Sequence, residues 1–133
     1  VLHSTWLGRI FVDMKAKDLN KTRQQLVRQM RRGVLELCVL AIAAKKEAYP
    51  SDIIAELKAS ELIVVEGTLY PLLSRLKDQG LLEYNWRESN MGPPRKYYSI
   101  TDTGRTFLTE LLQTWGSLVQ AVDHSTQNFN HDE

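Results

Sequence analysis

The chain has 133 residues, 43% hydrophobic and 25% charged, with 17 Lys+Arg against 16 Asp+Glu and a net charge of +1. Those values describe one globular domain with a modest core, and they exclude both a disordered polyelectrolyte and a nucleic-acid binder driven by bulk charge. The longest apolar run, Val34–Ala44, is interrupted by Glu36 and falls well short of a bilayer span, so no membrane partner is expected.

No basic region followed by an apolar run opens the chain, so no signal peptide is expected. The single cysteine, Cys38, sits among Leu37, Val39 and Leu40 and reads as a small buried hydrophobe in a reducing, cytoplasmic interior. Charge is unevenly spread. Lys15, Lys17, Lys21, Arg23, Arg28, Arg31 and Arg32 are opposed only by Asp18, and a second basic pair, Arg95–Lys96, follows Pro93–Pro94.

Residues 1–20 read as an N-terminal extension. Trp6, Ile10 and Phe11 make a short amphipathic stretch that Gly8 weakens as a helix, so the segment either packs on a neighbour or is poorly ordered. Met14, followed by basic polar sequence, is read as the natural translation start. From about Lys21 to Lys45 the spacing of Leu26, Met30, Val34, Leu37 and Ala41 predicts a helix, basic in its first half and apolar nearly all round in its second. Gly33 between the halves is a kink or a close-packing point, and one bent helix or two helices both fit.

Pro50, Ser51 and Asp52 open a short helix to Ala59 with Ile53, Ile54 and Leu57 inward. After the connector Ser60–Val65, Glu66–Gln79 forms a second helix with Leu69, Leu72, Leu73 and Leu76 on one face, and Gly80 is placed to end it. Its outward face carries Gly67, Tyr70, Pro71, Ser74 and Asp78, with Thr68 and Arg75 on one flank and Lys77 on the other. A glycine, hydroxyls, an aromatic with a polar tip and an arginine near a helix start suit presentation to DNA. Two short helices of this kind predict a helix-turn-helix.

Leu81–Glu88 alternates, with Leu82, Tyr84 and Trp86 on one face; Ser89–Pro94 reads as a turn; Arg95–Ile100 alternates again. A hairpin behind the second helix makes residues 21–100 a winged helix-turn-helix. Arg95 and Lys96 lie beside the loop, where a wing meets a phosphate backbone, the plainer alternative being solvated charges. Thr101–Asp102 then caps a helix over 101–125, with Asp102 as the cap and Gly104 tolerated in its first turn. Leu108, Leu111, Trp115, Leu118 and Val122 repeat at 3,4,3,4, and Phe107, Leu112 and Val119 widen that face. A second copy is the simplest cover for it, giving a homodimer. Residues 126–133 are polar and expected to fray. The fold class is therefore mainly α with a small β-hairpin: a winged helix-turn-helix plus a C-terminal dimerisation helix.

The segments RRGVLELCVLAIAAKKEAYPSDIIAELK, EGTLYPLLSRLKDQGLLEYNW and GPPRKYYSITDTG resemble the PadR family of bacterial transcriptional regulators, over roughly Leu26 to Asp123. The single last helix is similar to its short subfamily. The resemblance implies a dimeric repressor bound to a double-stranded DNA operator, with the Glu66–Gln79 helix in the major groove and the wing on the adjacent backbone. It assigns Thr68, Tyr70 and Arg75 to the reading helix and Arg95 and Lys96 to the wing; Pro71, Ser74, Arg31 and Arg32 join them as candidate DNA contacts from their position or charge. It also implies a small aromatic or phenolic effector, with Trp115 in the matching place. The spacing itself leaves Trp115 open, as dimer core or ligand wall.

An enzyme is not expected. His3, His124 and His131 lie near the chain ends without metal-site or triad spacing, and there is no glycine-rich phosphate loop and no CxxC. No metal and no cofactor are expected. The competing function is a winged-helix module for protein–protein contact.

Overall fold

The computed structural model describes residues 2–129, with side chains from residue 6 onward. The expected fraying of 130–133 and the side chains of His3 and His131 lie outside the described residues. In chain order the elements are α1 (Leu2–Lys45), α2 (Pro50–Ala59), α3 (Glu66–Asp78), β1 (Leu82–Ser89), β2 (Gly92–Ile100) and α4 (Asp102–Ser125). They divide into an N-terminal unit up to Leu35 and a second unit from Glu36 onward.

The N-terminal unit is helical from Leu2, so helix formation does not wait for Lys21. The physical reason is plain. No proline occurs before Pro50, the stretch is rich in Leu, Lys, Arg, Gln and Met, and one glycine costs only about 1 kcal/mol in a helix. Helical structure also continues through Gly33, where nothing lies within 4 Å of a would-be Cβ, so close packing does not select that glycine. Trp6, Phe11, Val12, Leu19, Leu26 and Met30 are all exposed, so the first half of the expected stripe is not buried within the chain.

The second unit holds the core. Val39, Leu40, Ile42 and Ala43 bring the end of α1 into it, where the sequence is apolar all round. Ile53 and Leu57 of α2, the four leucines of α3, and Leu82, Tyr98 and Ile100 of the hairpin close around them. Between α2 and α3, Glu61 takes a left-handed φ of 63°, and Leu62 N–H returns to Leu57 O at 2.8 Å. Pro71 lies inside α3; it has no N–H to give the Gly67 carbonyl, and both sit on the outward side. At the far end Gly80 adopts φ 77°, its N–H reaches Lys77 O, and Leu81 N–H reaches Leu76 O, both at 3.0 Å. This paired bonding is the Schellman stop expected of a C′ glycine.

β1 and β2 are antiparallel, with Leu82 opposite Ile100, Tyr84 opposite Tyr98 and Trp86 opposite Lys96. The turn is tighter than Ser89–Pro94: β2 already begins at Gly92, and Pro93 and Pro94 lie within it. They are tolerated because the ladder is irregular between Arg87 and Ser89 and β2 is paired on its outer side only where Ala48 bridges Tyr98. Arg95 and Lys96 consequently stand within the strand, not beside the loop.

Thr101, not Asp102, caps α4. Its Oγ1 accepts from Gly104 N–H at 2.9 Å and donates to Gly80 O at 2.6 Å; Asp102 occupies the first turn. Gly104 is more than tolerated, since a Cβ there would stand 2.1 Å from Leu81 O and 2.8 Å from Ile100 Cγ1. Leu108 is 8% exposed and belongs to the core of this unit. The whole is mainly helical with one two-stranded hairpin, α2 and α3 forming the helix-turn-helix and β1–β2 the wing. Among the described residues, no helix is long and apolar enough to cross a membrane.

Candidate nucleic-acid interface

One cleft of about 500 Å³ gathers the start of α2, one flank of α3 and the middle of β2. Tyr70 and Ser74 come from α3, Arg95 and Lys96 from β2, and Tyr49, Pro50 and Ser51 from the start of α2. At about 100° per residue, Glu66, Tyr70 and Ser74 follow each other along one side of α3 because they are spaced by four. With the α3 leucines buried on the inward side, that row of residues faces outward.

Neighbouring strand residues point to opposite faces of a sheet, so Arg95 and Lys96 need separate supports. Each has one. The Arg95 guanidinium lies 4.8 Å from the Tyr49 ring centroid, and the Lys96 ammonium lies 4.4 Å from Tyr84 and 5.3 Å from Trp86. Such stacking contributes about 0.5–1 kcal/mol per pair at exposed sites and leaves the outer donors available. Tyr49 in turn meets Tyr97 at 5.5 Å, Arg87 lies 4.8 Å over Tyr97, and Arg87 is ion-paired with Glu47. The wing is thereby tied to the start of α2 by rings and charges as well as by the Ala48–Tyr98 bridge, whose two hydrogen bonds measure 3.0 and 2.8 Å. Burial, with smaller contributions from Tyr84 and Tyr70, pushes the Tyr98 hydroxyl above its ordinary pKa, so the cleft wall is a neutral phenol.

The expected contact residues divide three ways. Tyr70, Ser74, Arg95 and Lys96 are brought together in the cleft. Thr68 and Pro71 are exposed on α3 outside it, and Arg75 turns to the other flank, where it is ion-paired with Glu36 of α1. Arg31 and Arg32 are exposed in the N-terminal unit. On α4, Leu112, Trp115, Leu118, Val119 and Val122 are exposed, Trp115 at 43%, while Leu111 is half-buried. Among the described residues, no group of three or more potential ligands could hold a metal ion.

Tyr49, Ser51, Glu66 and Arg87 were not anticipated. Tyr49 had a readable signal, since it directly precedes the Pro-Ser-Asp helix start and is the N-cap of α2. Arg87 had none: it is a single basic residue in LEYNWRE, and only the register brings it opposite Arg95.

Residues 39–110 match the sequence profile of the Transcriptional regulator PadR-like family. Transcriptional regulator Rv3488 of Mycobacterium tuberculosis is 37% identical over 84 residues, covering 63% of this chain and 78% of that protein. A PadR-like transcription factor from Bacteroides fragilis is 54% identical with a TM-score of 0.66, over 75% of this chain and 97% of that one. A PadR family transcriptional regulator from Eggerthella lenta gives a TM-score of 0.74 at 32% identity, over 83% of this chain and 96% of that one.

Proposed function

The chain belongs to the PadR-like family of transcriptional regulators, and from that premise we propose that it acts in the cytoplasm as a homodimeric repressor, reading a DNA operator with α3 and the wing. The observation carrying this reading is the convergence of Tyr70 and Ser74 with Arg95 and Lys96 around one cleft. Tyr70 and Ser74, with the exposed Thr68 and Pro71 beside them, supply a polar and close-approaching surface for base edges. Arg95 and Lys96 on their aromatic platforms supply phosphate contacts, joined by Arg31 and Arg32. The exposed apolar face of α4 supports the dimer, in which two α3 helices would meet successive major grooves roughly 34–36 Å apart. Trp115, exposed on that face, is the candidate wall for a small aromatic or phenolic effector that releases DNA, a coupling that must be reciprocal.

Selection of bound sequences from random duplex DNA, with and without small aromatic compounds, tests the reading. Enrichment of a pseudo-palindrome, with affinity falling steeply as salt rises, is expected. Failure of the wild-type chain to enrich any sequence, or a salt-independent complex with another protein in its place, overturns it.

A further inference from the structure

Arg75 lies on α3 yet outside the cleft. At about 100° per residue it is rotated about 100° from Ser74 and about 140° from Tyr70. It reaches instead across 39 residues of chain to the carboxylate of Glu36, with which it forms an ion pair and hydrogen bond. Glu36 stands on α1 one turn before Val39 and Leu40, which are fully buried. The α1 end of this contact is therefore anchored in the core, and the α3 end adjoins Leu76, also buried.

We infer that Arg75 and Glu36 are positioning residues for DNA reading: the pair sets the rotation of α3 about its own axis against α1. This rests on the proposed role of α3 as the reading helix. With the side chains 50% and 34% exposed, the pair adds little to stability. Its worth is geometric. The four leucines hold α3 to the core through apolar contact, which is non-directional. Arg75–Glu36 adds a directional tether on a different flank from Tyr70 and Ser74. A few degrees of roll about the axis would move those two side chains across the base edges, while Arg95 and Lys96 on the wing would keep their phosphate contacts. Losing the tether should therefore degrade discrimination between sequences and spare non-specific affinity.

The test uses the full chain, the duplex recovered by selection with the wild type, and a scrambled duplex of equal composition. Wild-type preference for the selected duplex is the control: without it the reading of α3 fails, whatever the variants do. With it, Glu36→Gln and Arg75→Gln are each expected to cut the preference by about five- to tenfold, with the double variant no worse than either single one. Affinity for scrambled DNA and the slope of affinity against salt should stay at wild-type values. The exchanged pair, Glu36→Arg with Arg75→Glu, should restore part of the preference. If Arg75 touches a phosphate instead, Arg75→Gln lowers affinity for both duplexes and reduces the salt slope by about one, while Glu36→Gln loses nothing. That result, or unchanged preference in both single variants, overturns the inference.

Discussion

Arg87 and Arg95 face each other directly across the hairpin, and a tyrosine takes up each guanidinium: Tyr97 beneath Arg87 and Tyr49 beneath Arg95, both at 4.8 Å. Like charges placed opposite in a ladder are destabilising. Here Glu47 neutralises Arg87, and the two rings, tilted at 57° to each other, each lie against one guanidinium group, so Arg95 keeps its outward donors. Tyr49→Ala is expected to let Arg95 swing and to weaken DNA affinity about three- to tenfold, with an unaltered salt slope. Anisotropy titrations at several salt concentrations read this out; an unchanged affinity would show that the stack does not orient Arg95.

Arg95→Ala and Tyr70→Ala should fail differently. Removing the guanidinium lowers affinity for selected and scrambled duplexes alike and reduces the salt slope by about one. Removing the phenol costs about 1–3 kcal/mol on the selected duplex and little on the scrambled one. Identical behaviour of the two variants would refute the division of labour between α3 and the wing.

Two glycines give opposite outcomes in one experiment. Gly104→Ala puts a methyl 2.1 Å from the backbone oxygen of Leu81, so the first turn of α4 must lift, at a cost of about 1–3 kcal/mol or more. Gly33→Ala meets nothing within 4 Å in a continuous helix and should stabilise by up to about 1 kcal/mol. Denaturant melts at one fixed protein concentration check both signs, the fixed concentration removing the effect of self-association.

On α4, Leu108 and Leu118 occupy the same heptad seam in different surroundings. Leu108→Ala should destabilise the fold by about 2–5 kcal/mol because it empties a buried site. Leu118 is 54% exposed, so Leu118→Glu should leave the melt of the individual chain nearly unchanged and shift light-scattering mass from dimer towards monomer. A dimer that survives Leu118→Glu would move the interface elsewhere.

Cys38 is half-buried and not the fully buried hydrophobe its neighbours suggest, and that burial raises the pKa of its thiol above its ordinary value. A raised pKa means that the folded state favours the protonated form. Its contribution to stability is complete below the ordinary thiol range and declines as pH climbs through that range. Alkylation by iodoacetamide near pH 8 should accordingly be slow in the folded chain and quicken in denaturant. Equal rates in both would mean the thiol is not shielded.

Elements with a strong periodic pattern could be read from the sequence: the α3 leucines, the Gly80 stop and the alternation of Leu82, Tyr84 and Trp86. Three features could not. The helix reaching back to Leu2 depended on weighing one glycine against many good helix formers, and local weakening at Gly8 is the more visible sign. Pro93 and Pro94 have the composition of a loop, and only the irregular ladder admits them to β2 and shortens the turn. The resemblance assigns Arg75 to the reading helix with Tyr70, and only the position of Glu36, 39 residues earlier, shows which way its side chain turns. Long-range partners of this kind leave no trace in local spacing.

The joint at Gly104 has a mechanical side. α4 has 24 residues, so it is about 36 Å long, and its first turn rests on Leu81 while Thr101 hydrogen-bonds Gly80, the two residues that close α3. As a lever pivoting there, a tilt of about 5° carries the far end about 3 Å, whereas atoms near the pivot move only tenths of an ångström. The gearing runs steeply one way. A ligand or partner gripping α4 near Trp115 must drive a large excursion to disturb α3, and any slack at the pivot would absorb it. A residue with no side chain at 104 is what lets α4 seat on Leu81 without slack.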